Sequence, residues 1–126
     1  MKHAFVDSSC VVAVIFGEPS ATTLLDRMQA FDSLHASPLL EAEVFAAMKR
    51  EGLESDRSLL ARFDWVIPNR PLTAEIDRVL SAGYLRGADC WHLATALFLA
   101  LHPPDLAILT MDKNQRKTAK LLGFAV

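Results

Sequence analysis

A chain of 126 residues is the size of one domain and is long enough to bury a single core. Its 52% hydrophobic and 22% charged residues exclude wholesale disorder. A formal net charge of −2 excludes a uniformly basic nucleic-acid coat, so any attraction to phosphate must be local. The two cysteines, Cys10 and Cys90, show no CxxC or Cys/His spacing, which argues against a zinc site and a disulfide framework and suits a reducing cytosol. The apolar run Val11 to Phe16 is too short for a secretory signal and follows an aspartate, and Ala94 to Leu101 is too short to span a bilayer. The expectation is one soluble cytoplasmic domain over residues 1–126, with no membrane partner.

His3 to Val6 reads as a short buried strand ending at Asp7. Pro19 suits a first helical position, and Ala21, Leu24, Leu25, Met28 and Phe31 follow one helical face. Leu34 to Ala36 is a second strand. Ser37 then serves as N-cap and Pro38 as first residue of a helix through Leu40, Val44 and Met48, which Gly52 ends. A short helix over Ser58 to Phe63 and an edge strand over Trp65 to Ile67, closed by Pro68, come next. Thr73 caps a helix carrying Ile76, Val79 and Leu80. The helix from Ala88 to Leu101 is apolar nearly all round, hence central, and Pro103-Pro104 stops it. Leu106 to Leu109 is the clearest buried strand, Asp112 to Leu122 the last helix with Gly123 as its cap, and Phe124 to Val126 a candidate final strand. Strands alternating with helices predict an α/β fold with a parallel sheet.

Four carboxylates sit where strands or loops meet helices: Asp7, Glu43, Asp89 and Asp112. Sites in open parallel sheets form at the carboxyl ends of strands, which gathers Asp7, Asp112 and the helix-opening Asp89 at one edge. Glu43 lies beside the apolar line of Leu40, Val44 and Met48, with Glu41 further round, so Glu43 is the inward candidate. Taken singly, Asp89 and Asp112 read as helix-dipole partners or caps and Glu43 as solvated. Taken together, the acids make a pocket that resists full ionisation without a divalent cation, and a hard cation on carboxylates is a tool for cutting phosphodiesters.

FVDSS at Asp7, SPLLEAEVFAAMKR around Glu43, RGADCWHLATAL around Asp89 and ILTMDKNQRKTAKLLGF around Asp112 resemble, in order and over essentially the whole chain, the PIN-domain ribonucleases, in particular the VapC-type toxins of prokaryotic toxin–antitoxin pairs. The resemblance implies a three-layer α/β/α sandwich around a central parallel sheet. It also implies that Asp7, Glu43, Asp89 and Asp112 bind Mg²⁺ or Mn²⁺ and are catalytic, cleaving RNA with a metal-activated water. Ser8 or Ser9 and Thr110 match hydroxyls that position this water. A homodimer and a cognate VapB-like antitoxin whose tail covers the site complete the expectation. The competing functions are an RNA-processing PIN nuclease without an antitoxin and an RNA-binding PIN module that does not cut.

Basic residues near the acids are candidates for RNA contact: Arg86 before Asp89, and Lys113, Arg116, Lys117 and Lys120 after Asp112. Their plainer reading is a solvated face. His92, one turn after Asp89, reads as a hydrogen-bonded core histidine, and His35 and His102 as structural or exposed. Trp65 and Trp91 read as buried rather than base-stacking, and Met28 and Met48 as packing residues. Other acidic folds fit less well: a haloacid dehalogenase-type phosphatase wants an aspartate where Ser9 stands, a metal-adhesion domain wants a serine where Val11 stands, and no GxxxxGK[ST] loop is present.

Overall fold

The first apolar run forms β1 (His3–Val6), and the computed structural model, which describes Met1 to Val126, gives this strand a neighbour on each side. β2 (Ser33–Ala36) pairs with it in parallel, with Phe5 opposite His35. β4 (Leu106–Leu109) pairs in parallel on the other side, with Val6 opposite Leu109. β3 (Phe63–Trp65) adds to the outside of β2, so the order is β3-β2-β1-β4 and every pairing is parallel. The chain builds outward from β1 through β2 to β3, then returns to lay β4 on the opposite flank. The crevice beyond the ends of β1 and β4 is therefore the reversal point, where open α/β sheets present their sites.

One face of the sheet is covered by α1 (Ser8–Ile15), α2 (Ala21–Gln29) and α3 (Leu39–Arg50). The other is covered by α4 (Thr73–Ala82), α5 (Gly87–Leu99) and α6 (Lys113–Leu121). Alternation along β1 feeds both cores: Ala4 and Val6 pack with Leu24, Leu40 and Val44, while Phe5 packs with Val79, Leu93 and Ala119. Burying a side chain such as Phe5 stabilises the fold by roughly 1.5–3 kcal/mol. The result is the expected three-layer α/β/α sandwich. Because both faces are covered, β1 and β4 carry apolar residues on successive positions rather than alternating ones. No helix is long and apolar enough to cross a membrane.

Several local expectations are corrected. Residues from Ser8 to Ile15, given no element by the sequence, form α1. The β-branched Val11, Val12, Val14 and Ile15 are weak helix formers, and packing between α2, α3 and the sheet overrides that preference. Pro19 lies in a turn closed by Ala21 N–H on the Glu18 carbonyl, and α2 starts at Ala21. Ser37 does cap, accepting Leu39 N–H at 3.1 Å, but regular helix begins at Leu39, so Pro38 stands before it. Gly52 ends α3 with φ +69°, a left-handed value that favours glycine.

The helix expected over Ser58 to Phe63 is a single 3₁₀ turn, Ser58–Leu60, because Phe63 is drawn into β3, which starts and ends two residues before the strand expected at Trp65 to Ile67. Thr73 is the first residue of α4 rather than its cap. α5 stops at Leu99, before the prolines, and Pro103–Asp105 forms a separate 3₁₀ turn. The buried strand Leu106–Leu109 is an edge strand, and the final strand reduces to one parallel bridge between Ala107 and Ala125 that covers part of that edge. Cys10 and Cys90 are free and buried, as expected.

Candidate active site

Asp7 follows β1 directly and is the N-cap of α1, its Oδ2 accepting Ser9 N–H at 3.0 Å. Asp112 is the N-cap of α6, its Oδ1 accepting Gln115 N–H at 2.8 Å. Asp89 lies in the first turn of α5. Each of these acids is thus anchored by a helix start at the carboxyl edge of the sheet, where partial positive charge offsets a carboxylate. The capping role expected for Asp112 is real, yet it uses one oxygen and leaves the other free.

Asp89 and Asp112 line one cavity of about 260 Å³, together with Arg86. Asp7 is 5% exposed and sits deeper. Burial pushes the Asp89 carboxyl above its ordinary value, and the charges of Asp7 and Asp112 add to the push while Arg86 and His92 oppose it. Arg86 reaches Asp89 Oδ2 only at 3.6 Å and is largely exposed, so it offsets the crowding weakly.

Glu43 joins by a different route. His92, 1% exposed on α5, places Nε2 at 2.5 Å from Glu43 Oε1 and 3.9 Å from Asp7 Oδ1. A carboxylate can only accept, so the ring N–H donates. Burial acts to raise the Glu43 carboxyl, but the hydrogen bond and charge of His92 and a hydrogen bond from Ser8 outweigh it and hold it below its ordinary value. Glu41 points elsewhere, pairing with Arg57 at 3.0 Å, so Glu43 is the inward glutamate. His92 is a buried histidine, as its sequence context suggests, but one built into the acid cluster. Its Nδ1 has no hydrogen-bond partner.

The residue that ties the cluster together is not among the candidates that spacing and pattern single out. Gln115 is fully buried; its side-chain amide donates to Asp7 Oδ1 and to the Asp89 carbonyl, each at 3.3 Å, and its Oε1 accepts from Thr110 Oγ1 at 2.5 Å. A signal existed, since Asp112 to Gln115 matches the spacing of a capping box. In that motif the glutamine would turn back to the cap's own N–H. Here Thr110 Oγ1 accepts Asp112 N–H at 3.1 Å instead, which frees the Gln115 amide to reach Asp7.

The hydroxyls are mostly committed. Thr110 has one proton, and the much closer Gln115 Oε1 takes it rather than Asp7 Oδ2 at 3.5 Å. Ser9 Oγ accepts Met111 N–H at 3.0 Å and lies 3.5 Å from Thr110. Ser8 alone stands beside Glu43. Among the basic residues, Arg116 donates to the Thr110 carbonyl at 2.8 Å, so part of its guanidinium braces the loop. Lys113 and Lys117 are exposed on α6 and form no ion pair. Trp91 is half-buried and donates to Ser37 Oγ at 3.1 Å, and Trp65, also half-buried, stacks on Phe63. Met28 and Met48 are core residues, His35 is half-buried against His3, and His102 is exposed. A further cavity of about 310 Å³, lined by His3, His35 and His102, lies away from the acids, at the opposite end of the strands.

No three His, Cys, Asp or Glu side chains converge closely enough to cage a metal ion. A four-ligand centre of the zinc type therefore does not fit. A hydrated Mg²⁺ needs less, being held by one or two carboxylates with water and phosphate oxygens filling the rest. Asp89 and Asp112 on their shared cavity are such a pair, and the like-charge crowding at Asp89 is what a cation there would relieve.

A family model for the PIN domain matches residues 4–121. Over 130 aligned residues the chain is 32% identical to the Mycobacterium tuberculosis (strain ATCC 25618 / H37Rv) protein named Ribonuclease VapC46, spanning 100% of this chain and 97% of that one. No solved structure matches. A sandwich with its acids at the sheet's reversal point, a family match over nearly the whole length and a full-length relative of this kind have one meaning: the chain belongs to the PIN-domain family, on its VapC branch.

Proposed function

We propose that this protein is a divalent-metal-dependent endoribonuclease, with Mg²⁺ as its ion and Mn²⁺ as a substitute, and the toxin of a toxin–antitoxin pair. The single observation that carries the reading is the crowding of Asp89 by Asp7 and Asp112 at the carboxyl edge of a PIN-family sheet. The name of the relative, a ribonuclease of the VapC series, supports the same reaction class.

In this reading Asp89 and Asp112 would hold a hydrated ion directly, and Asp7 and Glu43 would act on it through its bound waters. When bound, a divalent ion stabilises charge on phosphate oxygens and eases deprotonation of water. The chain's own residues do the rest. Gln115 and the Ser9 N–H fix Asp7, and His92 and Ser8 fix an ionised Glu43. Ser9 and Thr110 set the loop that carries Asp112. Ser8, its proton given to Glu43, orients water by accepting from it. Arg86, Lys113 and Lys117, with the spare donors of Arg116, bind backbone phosphates and supply the local positive charge that a net −2 chain needs. The active unit is a single domain over residues 1–126, a homodimer in the cytoplasm, silenced by a VapB-like antitoxin.

Purified protein incubated with total cellular RNA is the test. Cleavage with Mg²⁺, none with EDTA, and none from Asp7→Asn are expected. Wild-type protein that leaves RNA intact with Mg²⁺ and Mn²⁺ sinks the proposal.

A further inference from the structure

The cavity holding Asp89 and Asp112 does not end at the acids. Tyr84 and Asn114 also line it, and the same two residues line a second cavity of about 150 Å³ that Lys117 shares. Tyr84 and Asn114 thus stand between two neighbouring cavities, one carrying the carboxylates and the other an exposed ammonium. Their walls are the end of α4, the α4–α5 loop, the first turn of α5 and the length of α6 from Asn114 to Leu121.

Tyr84 is the only tyrosine of the chain and is 83% exposed, while the next residue, Leu85, is buried and pins the loop to the core. The loop closes on α6 at Gly83, where an added Cβ would stand 2.9 Å from Thr118 Oγ1. An aromatic ring is therefore held at the rim of the acid cavity on a short tethered loop, with no packing role of its own. An exposed aromatic beside a chemical site is a stacking platform, and every nucleobase offers a π-face to stack.

We propose that Tyr84, Asn114 and Lys117 form a subsite for one unstacked base of single-stranded RNA next to the linkage to be cut. This rests on the ribonuclease reading. Tyr84 stacks on the base, the Asn114 amide offers both donor and acceptor to its edge, and Lys117 pairs with the adjoining phosphate. A cavity of about 150 Å³ is the size that one six-membered ring fills. Bases inside a duplex are already stacked and cannot enter, so the subsite selects unpaired segments.

The test measures binding in EDTA, where no cleavage interferes. The probes are a short fluorescein-labelled oligouridine and an abasic ribose–phosphate chain of equal length. Wild type is expected to bind the oligouridine about tenfold more tightly than the abasic chain. Tyr84→Ala should bind both alike, and Tyr84→Phe should keep the preference, since the ring is retained. All three proteins should melt together, because Tyr84 supports no core. A wild type with no preference, a Tyr84→Ala that keeps it, or a Tyr84→Phe that loses it overturns the subsite. A loop that instead serves a protein partner would leave the base preference of Tyr84→Ala unchanged, and that too overturns it. Mg²⁺-dependent cleavage of total RNA by the same wild-type sample is scored separately. Failure there removes the ribonuclease reading whatever the binding data say.

Discussion

The Gln115 amide reaches Asp7 Oδ1 at 3.3 Å in the crevice beyond the ends of β1 and β4, joining residues from opposite ends of the chain. Through Thr110 and the Asp89 carbonyl, the same side chain touches every loop that carries an aspartate of the cluster. Replacing it by methionine keeps the volume and removes three hydrogen bonds. Gln115→Met is expected to lose roughly 1–3 kcal/mol of stability, because buried partners are left unpaired. Cleavage should fall about 10²-fold, the scale set by a small misplacement of reacting groups. Urea melts and cleavage rates across a Mg²⁺ titration check both, and a variant equal to wild type in each removes Gln115 from the site.

Asp89 gives a prediction in which charge and metal oppose one another. Its folded pKa lies above the ordinary value of 3.8, so the unfolded chain releases this proton first as pH rises. The unfolded state then binds fewer protons than the folded one, and stability falls as pH rises through that window. Without metal, Asp89→Asn should therefore melt at or above the wild-type temperature at neutral pH. With Mg²⁺, wild type should gain stability, by about 2.7 kcal/mol at about a hundredfold excess over Kd, while Asp89→Asn gains little. Equal Mg²⁺ shifts in both proteins would exclude Asp89 as a ligand.

Glu43 behaves in the opposite sense. His92 and Ser8 hold its folded pKa below the ordinary 4.5, so the stability it contributes is present above that value and is lost as pH falls through the folded pKa. Glu43→Gln should flatten the acid limb of the stability profile below about pH 4.5 and leave its slope near pH 7 unchanged. Denaturant midpoints measured from acid to neutral pH decide the matter, and an unaltered acid limb would mean that the His92 hydrogen bond does not form in solution.

Lys113 and Lys117 are expected to act on phosphate, not on sequence. The double variant Lys113→Glu with Lys117→Glu should weaken RNA binding across unrelated sequences. It should also flatten the plot of log K against log salt by about 0.7 for each phosphate of a single strand that is no longer neutralised. Binding titrations at several salt concentrations test this. An unchanged slope would leave both lysines as a solvated helix face.

The strands β1, β2 and β4 and the helices α3, α5 and α6 were legible because their apolar period or continuous burial is written in neighbouring residues. So were the positions of Asp7, Asp89 and Asp112, since the ends of parallel strands and the starts of helices share an edge. α1 was not legible, because the β-branched residues from Val11 to Ile15 favour the wrong state and only packing reverses it. β3 was legible as an edge strand but not in its limits, because three residues carry too little pattern to set them.

The sequence by itself determined an α/β chain with acids at its strand ends, because period and capping are local properties. Only the tertiary structure decided that His92 grips Glu43, that Gln115 bridges Asp7 and Asp89, and that Tyr84 stands free beside them. Those interactions link residues far apart along the chain. They depend on how the crossovers stack the helices against the sheet, and no run of neighbouring residues encodes that distance.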